Sequence, residues 1–91
     1  MNKKEAKILI VDDIEDNRYT LERSLKRDGF ENISLADCGK EALDLVNESK
    51  FDLILLDLMM PDISGLDVLK QLKGNPSQRN IPVIMVTASD D

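Results

Sequence analysis

Apolar positions in this chain fall into short unbroken runs separated by helically spaced stripes. The first run is Lys7-Ile8-Leu9-Ile10-Val11-Asp12, continuous and rich in β-branched residues. Continuity without alternation marks a strand buried on both faces, the pattern of a parallel sheet. Ile14, Leu21 and Leu25 then recur at helical spacing with charged residues between them, and Asp28-Gly29 closes that helix, Gly29 supplying a left-handed C′ residue. Ile33 and Leu35 alternate with polar neighbours and predict a weaker strand. Gly39 starts a second helix, and over Lys40 to Glu48 the side chains of Ala42, Leu43 and Val46 share one face. Phe51 to Asp57 is another buried strand, followed by a loop with Pro61 and Gly65. Ser64 and Asp67 have capping-box spacing, and Leu66, Leu69 and Leu72 predict the apolar stripe of a third helix. Lys70 and Lys73 fall in its last turn, where cations complement the helix dipole, and Gly74 and Pro76 stop it. Pro82 to Thr87 is a last buried strand, with the proline at its first residue, where a missing donor is tolerated.

The order β-α-β-α-β-α-β predicts an α/β fold, a doubly wound parallel sheet built from right-handed crossovers and covered on both faces. In such sheets chemistry gathers beyond the carboxyl ends of the strands. The first strand ends in Asp12-Asp13, the third in Asp57 and the fourth in Thr87. The second ends near Asp37, which its place at the sheet edge keeps away. A single strand-end Asp is ordinarily a turn former. Three carboxylates on neighbouring strands repel one another and must protonate or bind a cation. Carboxylates, a carbonyl and water are the oxygen donors that Mg²⁺ prefers.

Composition narrows the alternatives. The 91 residues suit a single domain, 1–91, and 42% hydrophobic with 33% charged residues describes a globular chain. With no histidine and one cysteine, Cys38, the usual zinc sites and histidine-based triads are excluded, and so is an internal disulfide. The net charge of −6 lacks the basic footprint of a direct nucleic-acid surface. No apolar run reaches the length of a secretory core or a membrane span, so a cytoplasmic protein without membrane contact is expected.

Three strings carry a resemblance that covers nearly the whole chain, from about Lys7 to Asp91. They are Ile8-Leu9-Ile10-Val11-Asp12-Asp13, then Asp57-Leu58-Met59-Met60-Pro61 with Gly65, then Pro82-Val83-Ile84-Met85-Val86-Thr87-Ala88. Together they resemble the CheY-like receiver domain of two-component response regulators. The resemblance implies a flavodoxin-like sheet of order 2-1-3-4, and a phosphoacceptor signalling domain in place of a free-standing enzyme. Asp57 would accept a phosphoryl group from a histidine kinase or phosphotransfer protein. Asp13, Asp57 and the Met59 backbone carbonyl would hold Mg²⁺, with Asp12 acting through water. Thr87 would donate its hydroxyl to the phosphoryl group and serve as the switch, and small Ala88 would leave room for it.

Receiver domains continue through a fourth helix, a fifth strand and a fifth helix, and the Lys of that strand has no counterpart here. The chain is therefore expected to be a receiver truncated after its fourth strand. That strand would present an open apolar edge, a place for a homodimer to form. The alternative is a receiver fragment that is not phosphorylated and acts as a structural or oligomerisation module. A haloacid-dehalogenase-type phosphatase would need a second acid two residues after Asp57, where Met59 stands. A dinucleotide site would need a Gly-rich turn where Asp12-Asp13 stands.

The remaining candidates have ordinary explanations. Met59 and Met60 read as packing beside a strand end, Cys38 as a small semi-buried filler and Tyr19 as cover for the first helix's flank. Lys70 and Lys73 read as solvated helix-end charges. Turn chemistry accounts for Asp62, which sits in the loop after Asp57.

Overall fold

The computed structural model describes residues 2–86 of the chain. Its elements are β1 (Lys7–Val11), α1 (Glu15–Arg27), β2 (Asn32–Ala36), α2 (Gly39–Glu48), β3 (Leu53–Asp57), α3 (Gly65–Lys73) and β4 (Val83–Val86). The strands are all parallel and lie in the order β2-β1-β3-β4. This is the doubly wound α/β sheet that the pattern predicts, in the order that the resemblance implies.

The two faces of the sheet have different cover. Side chains alternate across a strand. Leu9 and Val11 of β1 and Ile54 and Leu56 of β3 pack with Ala42 and Val46 of α2 and with Val68 and Leu72 of α3. Ile8, Ile10 and Leu55 point the other way, towards Leu21 and Leu25 of α1. Ile8, Leu9, Ile10 and Val11 are each at most 1% exposed. Burial on both sides is why β1 reads as an uninterrupted apolar run, and each such side chain stabilises the fold by roughly 1.5–3 kcal/mol.

Local signals set the ends of the helices. Gly29 has φ +103°, the left-handed conformation that a Cβ disfavours. Its N–H donates to the Lys26 carbonyl at 3.0 Å and the Phe30 N–H to the Leu25 carbonyl at 3.0 Å, the paired bonds of a Schellman motif. Leu25 and Phe30 pack against the same apolar cluster, which seals that end. At the start of α3, Ser64 Oγ accepts from the Asp67 N–H at 3.2 Å.

Several positions depart from the sequence pattern. Ile14 is not on the helical stripe. It is the extended N-cap residue of α1 and is 49% exposed. Leu66 is 52% exposed, and α3 buries Gly65, Val68 and Leu72 instead. Those three follow the i, i+3, i+7 track towards the sheet, from which Leu66 is rotated by about 100° per residue. β3 begins at Leu53, with Phe51 buried just ahead of it, and Pro82 lies immediately before β4. Tyr19 and Met59 are mostly exposed, whereas Met60 packs against the core as expected. Among the described residues β4 is the outer strand next to β3, and its Ile84 is half exposed.

Candidate functional site

The strand order decides which acids meet. β1 and β3 are hydrogen-bonded neighbours, with Val11 opposite Leu56, so their carboxyl ends emerge side by side. Asp12, Asp13 and Asp57 each bring a carboxylate oxygen within 4.8 Å of the others. Asp12 and Asp57 are buried and Asp13 is exposed, so the cluster opens to solvent on one side. Asp37 ends β2 on the far side of β1 and takes no part. Its N–H donates to the Glu41 carboxylate instead.

Backbone bonds fix the acids in place. The Asp12 N–H continues the β1–β2 pairing by donating to the Ala36 carbonyl at 3.1 Å. Asp12 Oδ1 accepts from the Ile14 N–H at 2.9 Å, an Asx turn that bends the chain from β1 into α1. Arg18, one turn into α1, donates through Nη1 to the Asp12 carbonyl at 2.7 Å. On the β3 side, Gly65 allows α3 to start directly against the end of β3. Its N–H donates to the Leu58 carbonyl at 2.8 Å, and a Cβ there would collide with the Asp57 carbonyl oxygen and lie 2.9 Å from Leu58 Cα.

The Asp57 carboxyl is pushed up from its ordinary value. Burial is the largest cause, the charge of Asp12 adds to it and that of Asp13 adds less, against the backbone N–H groups of Met59 and Leu58 that favour the ionised form. A cation between the three acids would relieve both the burial and the repulsion, and an all-oxygen donor set suits a hard divalent ion.

Thr87 and Ala88 lie outside the described residues, as does Ser89. Cys38 is half-buried and free, in keeping with a small filler, and its carbonyl accepts from the Ala42 N–H. Lys70 and Lys73 are exposed, and Lys73 Nζ donates to the Arg79 carbonyl at 3.0 Å. Two side chains have roles that the sequence pattern does not announce. Buried Gln78 donates to the Val46 carbonyl at 3.2 Å and to Asn47 Oδ1 at 2.9 Å, tying the segment before β4 to α2. Asp62, read as turn chemistry, accepts from two backbone N–H groups of α2. Neither role has a local signal, because the partners are more than twenty residues away in the chain.

The family model of the response regulator receiver domain matches residues 8–91. The chain belongs to the response regulator receiver family. This receiver is 45% identical over 85 residues to the response regulator PleD of Caulobacter vibrioides, covering 93% of the chain and 18% of that protein. It is 44% identical over 81 residues to the polar-differentiation response regulator DivK of Brucella anthropi, covering 89% of the chain and 65% of the relative. The receiver thus spans less than two thirds of either relative. Among solved structures it resembles the response regulator protein TrrA of Thermotoga maritima in complex with Mg²⁺–BeF. The TM-score is 0.85 at 34% identity, over 93% of this chain and 71% of that one. Receiver domains are signalling modules, and among the described residues no helix is long and apolar enough to cross a membrane.

Proposed function

We propose that this receiver accepts a phosphoryl group on Asp57 from the phosphohistidine of a histidine kinase or phosphotransfer protein. The observation that carries the reading is the meeting of Asp12, Asp13 and Asp57 within 4.8 Å at the carboxyl ends of β1 and β3. In the transfer a carboxylate oxygen of Asp57 forms the new bond to phosphorus as the bond from phosphorus to the histidine nitrogen breaks. Asp13, Asp57 and the Met59 carbonyl would hold Mg²⁺, with Asp12 behind them through water. When bound, the ion supplies the positive charge that lets one anion approach another and that steadies the equatorial oxygens in flight.

The chain's own residues prepare that attack. The Leu58 and Met59 N–H groups stand by the Asp57 carboxylate and favour its ionised form, the form that attacks. Gly65 keeps α3 tight against the Asp57 backbone, which limits the freedom of the nucleophile. Arg18 and the Asx turn hold Asp12 inside the site, with the adjoining Asp13 at its mouth. Exposed Ile14 and Met59 flank the acids and give a donor protein an apolar rim to rest on. Thr87, two residues past Met85, is the hydroxyl that would read the phosphoryl group and pass its presence to a partner.

The test is incubation with acetyl phosphate and Mg²⁺, read by intact mass. A single phosphoryl adduct should form, be removed by hydroxylamine as an acyl phosphate is, and be absent from Asp57→Asn. If no such adduct forms, the domain keeps the receiver fold as a structural module without phosphotransfer.

A further inference from the structure

In the loop that follows Asp57, the side chain of Asp62 hydrogen-bonds to a distant helix. Asp62 Oδ1 accepts from the Gly39 N–H at 3.0 Å and Oδ2 accepts from the Lys40 N–H at 2.9 Å. These are the first two amides of α2, 23 and 22 residues away in sequence. The α2 helix has no side-chain cap of its own, since Cys38 at its N-cap makes none. A helix leaves its first N–H groups without partners and favours negative charge beside them. The Lys40 and Gly39 amides, in that order, with help from the Ile63 amide, hold the Asp62 carboxyl down to about 2. It is therefore ionised throughout the neutral range.

The same contact is packed as well as bonded. Ile63 lies directly on Gly39, so closely that a Cβ there would collide with Ile63 Cγ1 and sit 3.1 Å from Val68 Cγ2. At its other end the loop is pinned by the bond from the Gly65 N–H to the Leu58 carbonyl. Between these two anchors runs the backbone of Leu58 and Met59, whose amides favour the ionised form of the Asp57 carboxyl.

We infer that Asp62 is a positioning residue, a latch that ties the loop 58–64 to the start of α2 and thereby fixes the Leu58–Met59 backbone framing Asp57. It touches no reacting atom. Its consequence for metal affinity rests on the proposed function, because the Met59 carbonyl is a ligand only in that reading. Residues that orient a ligand from behind change metal affinity by about tenfold or more when removed.

The experiment measures amide hydrogen exchange by NMR and Mg²⁺ affinity by calorimetry, at pH 7, on the 91-residue chain and its variants. Asp62→Ala should speed exchange at Gly39 and Lys40 and also at Leu58 and Met59, and should weaken Mg²⁺ binding about tenfold. Asp62→Asn keeps an acceptor oxygen without the charge and should fall between; it carries the test if the alanine variant does not fold. Gly29→Ala, which strains the far end of α1, should leave the Mg²⁺ affinity unchanged, so that general destabilisation is not mistaken for a latch. Loosening confined to Gly39 and Lys40, with Leu58 and Met59 as well protected as before, overturns the inference. If wild type binds no Mg²⁺ while Leu58 and Met59 still loosen in Asp62→Ala, the metal reading falls and the latch stands.

Discussion

Replacing Asp57 by Asn should make this protein more stable at neutral pH when divalent ions are chelated. The substitution keeps shape and one acceptor oxygen and removes the charge. Asp57 is 5% exposed and shares its pocket with two other carboxylates within 4.8 Å. At an effective dielectric of about 20, unit charges at that separation repel by about 3.5 kcal/mol. The amides of Leu58 and Met59 offset part of this, yet burial and the negative neighbours prevail and the Asp57 carboxyl stays raised. A net gain follows, smaller than the bare repulsion of about 3.5 kcal/mol, and with it a higher Tm. The pH dependence has a definite sign. A carboxyl whose folded pKa lies above its unfolded value near 3.8 leaves stability fully present below that value and lost as pH rises through the folded one. Wild type and Asp57→Asn should therefore converge below about pH 3.8 and diverge above it. The assay is a urea or thermal melt of both proteins across pH with a chelator, repeated with Mg²⁺. With the ion at a hundredfold excess over its dissociation constant, wild type should gain about 2.7 kcal/mol and the variant much less. Equal or lower stability of Asp57→Asn at pH 7 in chelator would refute the idea that these three charges are crowded together.

Three further substitutions test other parts of the architecture. Gly65→Ala should cost about 1–3 kcal/mol in a urea melt and slow phosphoryl uptake at Asp57, since the new methyl meets backbone that cannot swing aside. Gly29→Ala should cost about 1–2 kcal/mol through its positive φ alone, measured by the same melt, and leave the adduct yield unchanged. Leu9→Ala, in a side chain with no exposure at all, should cost about 2–5 kcal/mol; a loss below 1 kcal/mol would mean that the sheet's inner face is not packed as described.

Hydrophobic period and turn chemistry are properties of neighbouring residues, and the features that depend on them were legible in the chain. The unbroken runs through Ile8–Val11 and Ile54–Leu56 announced strands covered on both faces, and Gly29 and Ser64 marked a helix end and a helix start. The placing of acids at the ends of the first and third strands pointed to a shared site. Their actual approach needs β1 and β3 to be sheet neighbours, which periodicity alone does not specify. Tertiary packing also chose Val68 over Leu66 as the buried residue of α3, because only the track that faces the sheet is covered. It exposed Ile14 by using it as a cap, and it joined Asp62 to α2 and Gln78 to Val46. Those contacts link groups more than twenty residues apart, and a polar side chain shows no local preference for a partner that only folding brings within reach.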